Sequence, residues 1–235
     1  MLSSNLLALI ITFAVALIWL RINDFAAHRG WMSSHLSRKI IHIGTGPIFV
    51  LCWLLFNPAP SARYLAALVP FAITAQFALV GLGLVKDEAA VQAMSRTGDR
   101  REILKGPLYY GIVFVLVTIF YWLESPIGII ALMLVCGGDG LADLLGRRFG
   151  VVKLPWNKGK SWAGSLGMFL GGWILALAVI AVFMSAGVFP GQFSTYLMPI
   201  TLIALAATFV ESLAIPDLDN LTITATALVM GHLLL

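Results

Sequence analysis

Two aspartates, five cations and several glycines lie within residues 136–164, between two apolar runs. Asp139 and Asp143 are four residues apart, so on a helix they share a face. Two such carboxylates can hold Mg²⁺, which takes one or two carboxylates and completes its shell with waters and phosphate oxygens. Gly137, Gly138 and Gly140 flank Asp139, and Gly146 and Gly150 follow. Glycine lets a backbone come close to a ligand. Arg147, Arg148, Lys153, Lys158 and Lys160 come next. Arginine grips phosphate oxygens in a fork and lysine acts as a point charge, so this loop could bind a triphosphate. Acid, base and glycine together point to a site for a metal-bound phosphate group. The plainer alternatives are aspartates neutralised by Arg147 and Arg148, and a basic loop resting on anionic lipid.

Other polar stretches interrupt the apolar sequence. Arg38 and His42 are four residues apart at the opening of an apolar run and share a helical face, with Lys39 beside them. They could contact phosphate, or set an imidazole beside a hydroxyl being activated. The alternative is a basic flank before a buried, hydrogen-bonded histidine. Residues 211–220 carry Glu211, Asp217, Asp219 and Asn220 around Pro216. Glu211 lies within a helical turn of a strongly apolar run, where a carboxylate is costly. It is a candidate metal ligand or catalytic base; otherwise the stretch is a polar hairpin turn. Residues 86–105 mix bases and acids and read as a solvated loop or a short amphipathic helix, whose Arg100, Arg101 and Lys105 could gather an anionic substrate. Gly159-Lys160-Ser161 is not a P-loop, because Leu154 stands where that motif needs glycine and no strand precedes it. Gly44 and Gly46 miss the dinucleotide pattern because position 49 is Phe.

The elements that must position these groups are membrane helices. The chain has 235 residues, is 60% apolar and 11% charged, and has a mean hydropathy of +0.96. A soluble domain carries about 25% charged residues. The expected fold class is therefore all-α, a polytopic integral membrane protein with one transmembrane domain over 1–235. No polar stretch is long enough to form a separate soluble core. A spanning helix needs about 20 mostly apolar residues. Eight candidates lie at about 4–21, 39–56, 63–85, 106–123, 126–146, 164–185, 196–213 and 220–235. The last is short and holds Thr222, Thr224 and Thr226, so seven spans is the alternative count. The run 6–20 has no preceding basic residue and no small-residue cleavage site, so it reads as a retained first helix and not a signal peptide. Pro70 should kink the third helix. Pro107 and Pro126 fall near helix starts, where a missing N–H does no harm. Cys52 and Cys136 sit in apolar runs and read as small buried hydrophobes.

Odd-numbered connections between the eight candidates hold fourteen of the fifteen Lys and Arg residues. The positive-inside rule puts that side in the cytoplasm and, with eight spans, both termini outside. The turn bearing Glu211, Asp217 and Asp219 falls on the same cytoplasmic side. The acid-rich and base-rich turns are thus expected at one membrane surface, with Asp139 and Glu211 within about 15 Å, roughly ten residues of helix rise.

Several stretches together resemble the phytol kinase and dolichol kinase family of membrane lipid kinases. They are Arg38-Lys39-x-x-His42-x-x-x-Gly46; Gly138-Asp139-Gly140-x-Ala142-Asp143-x-x-Gly146-Arg147-Arg148-Phe149-Gly150; Lys160-Ser161-x-Ala163-Gly164-Ser165; and Glu211 with Asp219-Asn220. The central motif is the specific part and looks closer to phytol kinases. Dolichol kinases and related cytidylyltransferases often have an acid where Ala163 stands. The resemblance implies phosphoryl transfer from a nucleoside triphosphate, characteristically CTP, to an isoprenoid alcohol such as phytol, geranylgeraniol or farnesol, with Mg²⁺ as cofactor. On that reading Asp139 and Asp143 hold the metal, and Arg147, Arg148, Lys158 and Lys160 neutralise the triphosphate. Arg38, Lys39, Gly138, Gly140, Gly146 and Ser161 join the nucleotide site. Glu211 or Asp219 completes the metal shell or orients the alcohol, and His42 could accept its proton. The expected partners are CTP, a membrane-dissolved prenyl alcohol and the bilayer, with no nucleic acid. The setting is a cell or photosynthetic membrane, and the oligomeric state stays open.

Two other functions fit parts of the pattern. A CTP-dependent cytidylyltransferase acting on a lipid phosphate would use the same acids and release pyrophosphate. A small-anion transporter would need charges at mid-membrane depth, whereas the acids here cluster at helix ends.

Overall fold

The computed structural model describes residues 4–95, 97–213 and 217–235. Among the described residues the regular structure is helical, with one isolated antiparallel bridge, Lys153 to Ser161. Seven helices there are long and apolar enough to cross a membrane. The eighth candidate also forms a helix, α10 (Asp219–Leu234), but with 16 residues. At about 1.5 Å per residue it reaches some 24 Å, short of a hydrocarbon core of about 30 Å.

The packing divides the chain into two compact units, Met1–Ile119 and Phe120–Leu235. In the first, α1 (Asn5–His28) packs on α2 (Ser34–Cys52) and α3 (Ala62–Leu82). Ser33 caps α2 by accepting from the Leu36 N–H, which satisfies one of the orphan donors at a helix start. Pro70 lies inside α3, which continues through it. Residues 86–105 hold the short helix α4 (Glu88–Met94), capped by Asp87, and a 3₁₀ segment Arg100–Leu104. Helix α5 (Gly106–Phe120) closes the unit.

In the second unit, α6 (Pro126–Met133), a π-helical stretch Leu134–Asp139 and α7 (Gly140–Phe149) form one unbroken rod. Leu132, Met133, Leu134, Val135 and Cys136 are wholly buried. A helix apolar on every side belongs in the centre, and here α8 (Trp162–Ser185) and α10 pack against it, while α9 (Phe193–Leu213) lies between those two. Helix α8 runs back along the rod with almost no side chain between the backbones. A Cβ on Gly167 would meet the Leu141 carbonyl oxygen at 2.7 Å, and one on Gly138 would meet Met168 Sδ at 2.6 Å. Small residues spaced this way let membrane helices approach closely.

Both units carry marks of a lipid solvent. Threonine hydroxyls donate to the carbonyl one turn back: Thr12 to Ala8, Thr74 to Pro70, Thr118 to Phe114, Thr208 to Ala204 and Thr224 to Asn220. Within hydrocarbon each polar group must be satisfied internally. Conversely, large apolar side chains line the outside, among them Leu6, Ile10, Ile18 and Ile22 on α1 and Leu205, Phe209 and Leu213 on α9. Soluble monomers rarely expose continuous apolar faces of this extent.

Candidate active site

The second unit gathers most of its charges where the rod ends and α8 begins. The π-helical stretch brings Asp139 to the start of α7, half-buried. Wide π turns inside α-helices recur at functional sites. One turn on, Asp143 accepts from Arg147 Nε at 2.8 Å. Arg147 and Arg148 are exposed, and the Arg148 guanidinium lies 5.6 Å from the Phe149 ring centre.

Residues 150–161 fold back as a tight hairpin. The Leu154 N–H donates to the Lys160 carbonyl at 3.2 Å, and the Trp162 N–H to the Val152 carbonyl at 3.1 Å. Leu154 is buried beneath the turn. Asn157 organises the tip: its Oδ1 accepts from the Gly159 N–H, and its backbone carbonyl accepts from the Lys160 N–H. The hairpin is fastened to the end of α9 at one residue. Trp156 Nε1 donates to Ser212 Oγ at 3.1 Å, and Asn157 Nδ2 donates to the Ser212 carbonyl at 3.0 Å.

That fastening sets Lys160 beside Glu211, the neighbour of Ser212. Lys160 Nζ donates to Glu211 Oε1 and lies 3.7 Å from Asp219 Oδ2 at the start of α10. The Glu211 side chain is 3% exposed, that of Lys160 25% and that of Asp219 31%. Burial alone would push the Lys160 ammonium down, but the negative fields of Glu211, Asp219 and Asp139 outweigh it and hold the pKa above its ordinary 10.5. Lys160, Glu211 and Asp219 therefore meet at one place, within the field of Asp139, although they come from separate positions along the chain.

The other expected residues stand as follows. Ser161 is buried and caps α8, accepting from the Gly164 N–H at 3.2 Å and keeping its hydroxyl proton to donate. Gly138 and Gly146 face α8, and Gly140 is buried at the start of α7, so these glycines have a visible packing role. Lys153 and Lys158 lie on the exposed side of the hairpin. Asp217 adopts a left-handed backbone with φ of 63°, which Asp tolerates better than most residues. Arg38, Lys39 and His42 belong to the first unit, on the opening turns of α2. There Tyr110 Oη donates to the His42 carbonyl at 2.9 Å, and the two rings lie 4.5 Å apart. Trp156, Asn157 and Ser212, which fasten the hairpin, are the residues around this cluster that sequence reasoning missed. The turn-forming Pro155-Trp156-Asn157 was their one signal.

Among the described residues, no group of three or more His, Cys, Asp and Glu side chains is spaced to hold a metal unaided. Mg²⁺ needs no such cage when a triphosphate supplies oxygens. Glu211 and Asp219 are hard oxygen donors already gathered about one ammonium, within the field of Asp139, and the chemistry of these donors fits that ion.

Comparison with family models finds none that matches, and no solved structure matches. Curated proteins do match. The "Probable phytol kinase, chloroplastic" of Triticum aestivum is 40% identical over 229 residues, covering 97% of this chain and 76% of that one. The "Farnesol kinase, chloroplastic" of Arabidopsis thaliana is 44% identical over 208 residues, covering 88% and 67%. "Phytol kinase 1, chloroplastic" of the same plant is 38% identical over 207 residues, covering 87% and 68%. Identity of this order, running through both units and most of each relative, makes this chain a member of the phytol kinase family.

Proposed function

We propose that this protein is a prenyl alcohol kinase, transferring the γ-phosphoryl group of a nucleoside triphosphate, CTP by the family resemblance, to a membrane-dissolved alcohol such as phytol, geranylgeraniol or farnesol. The observation that carries this reading is the meeting of Glu211 and Asp219 around Lys160, within the field of Asp139, at the ends of apolar helices. A prenyl alcohol presents its hydroxyl at the headgroup level, and a soluble triphosphate arrives from the aqueous side. The positive-inside pattern supports a site on the cytoplasmic side. The relatives' chloroplast setting favours a photosynthetic membrane.

In the reaction the alcohol oxygen bonds to the γ-phosphorus and the bond to the β,γ-bridging oxygen breaks. Lipid monophosphate and nucleoside diphosphate are the products. Phosphoryl transfer relies on positioning and charge more than on covalent help. Lys160 supplies a fixed positive charge for the phosphates. Glu211 and Asp219 hold that ammonium in place, and Glu211 is the base that the second unit offers for the alcohol's proton. Mg²⁺, when bound, would neutralise phosphate charge, and Asp139 with Asp143, Glu211 or Asp219 would hold it. Arg147, Arg148 and Lys158 would add to the phosphate-binding field. For Arg38, Lys39 and His42 the proposal stays with what the resemblance implies, phosphate contact and proton acceptance.

The test is incubation of the protein in lipid nanodiscs with each γ-labelled nucleoside triphosphate and a panel of prenyl alcohols. Label on the lipid, strongest with CTP, supports the reading. Release of pyrophosphate with cytidine on the lipid would make the protein a cytidylyltransferase instead.

A further inference from the structure

The hairpin that carries Lys160 has a second face, whose apolar side chains the chemistry above does not use. Val151 is 86% exposed, Val152 64% and Trp156 52%. Phe149 and Trp162, at the hairpin's two ends, are also exposed. Val151, Val152 and Trp156 lie between two span-length helices, Pro126–Phe149 and Trp162–Ser185. Trp156 is oriented by its polar end: Nε1 is tied to Ser212, and the ring meets Trp162 edge-on at 5.7 Å. An indole with one end hydrogen-bonded and its body bare suits a membrane–water boundary.

We propose that this outer face is a docking surface for the headgroup layer of an anionic bilayer. Three observations commit it to that occupant. Phe149 ends one span-length helix and Trp162 begins the next, so the hairpin starts and finishes at a helix end. Its tip is fastened to Ser212, at the end of a third. Three span ends at one place put the face at the membrane boundary. The third observation is charge. Arg148, Lys153 and Lys158 are exposed around the apolar residues, and no carboxylate occurs in the sequence between Asp143 and Glu211. Bare apolar side chains beside exposed cations match an interface of acyl chains under anionic headgroups. Because the inner face of the same hairpin holds Lys160 on Glu211, the depth at which it docks sets the level of the phosphate site relative to the lipid.

The test does not depend on catalysis. Val152→Cys places a thiol on the exposed face, whereas Cys52 and Cys136 are buried, and an environment-sensitive dye is attached to it. The full-length chain is assembled into nanodiscs of neutral phosphatidylcholine, alone or with anionic phosphatidylglycerol. Spin-labelled lipid should quench the dye more than aqueous iodide does, and emission should shift to the blue as anionic lipid is added. Lys153→Gln in the same background should weaken the dependence on anionic lipid about fivefold, the effect of one lysine near such a surface. Quenching by iodide and not by lipid would overturn the proposal, leaving the face in water. Protection from both quenchers would also overturn it, since a protein surface would then cover the hairpin.

Discussion

Lys160→Met removes the ammonium that Glu211 faces, and its cost follows from burial. The Glu211 side chain is 3% exposed, so the substitution leaves a carboxylate without its cation and nearly without water. Removing one partner of a buried pair costs about 3–5 kcal/mol. Asp219 is 31% exposed and 3.7 Å from the ammonium, a geometry in which solvent screens the pair. Asp219→Asn should therefore cost under about 1 kcal/mol. Glu211→Gln falls between, since Lys160 keeps Asp219 and some contact with water. The informative variant is the double substitution Lys160→Met with Glu211→Gln. It buries no charge, and replacing a buried ion pair by neutral groups of similar size is often nearly neutral. Most of the lost stability should return, whereas phosphoryl transfer should not, because the phosphates have lost the cation that Glu211 and Asp219 hold in place for them. Reversible unfolding in mixed detergent micelles measures the first quantity, and label transfer to lipid on the same preparations measures the second. The reasoning fails if Lys160→Met costs no more than Asp219→Asn. It fails equally if the double variant is as unstable as the sum of the singles.

Three further outcomes are expected. Asp139→Asn should lower phosphoryl transfer on the order of a hundredfold or more with helical circular dichroism unchanged; normal turnover in that variant would remove Asp139 from the site. Gly137→Ala would set a Cβ 2.5 Å from the Gly171 carbonyl oxygen and should cost about 1–3 kcal/mol by overpacking. Gly106→Ala, which meets nothing within 4 Å, should stay within about 0.5 kcal/mol, and the same unfolding assay compares them. The Lys160 pKa is raised above 10.5 in the folded state, so the stability this group contributes is fully present below 10.5 and is lost as pH rises beyond it. Unfolding of wild type and Lys160→Met as a function of pH should therefore keep a constant gap from neutral pH to about 10 and close only above that; closure near pH 8 would mean that the ammonium lacks its partners.

Helix order was readable because apolar runs of membrane length leave little choice. The run that opens at Pro126 became a buried rod, and the last run, read as short, became the 16-residue α10. Glu211 was readable as a costly carboxylate in an apolar helix. Its partner was not, because the pairing with Lys160 depends on how residues 150–161 close and on two hydrogen bonds to Ser212, and neither has a spacing signature. The glycines around Asp139 pointed to a close approach, which is real. At Gly137 and Gly138 the approaching body is α8. The matching glycines at 164, 167 and 171, at helical intervals on α8, were the signal that two helices meet there. The wide turn at Leu134–Asp139 had no readable mark, since glycine pairs permit it without requiring it.

A π turn is an α-helix that has absorbed a surplus residue, which confines the disturbance to one bulge. Shortening the chain by one residue between Leu134 and Gly138 would let the rod relax to ordinary winding with the flanking faces still aligned. The same deletion in the middle of α8 would rotate everything beyond it by about 100°, parting the glycine seam from the rod. Length variation in this protein should therefore be tolerated just before Asp139, where a catalytic residue would make it least expected.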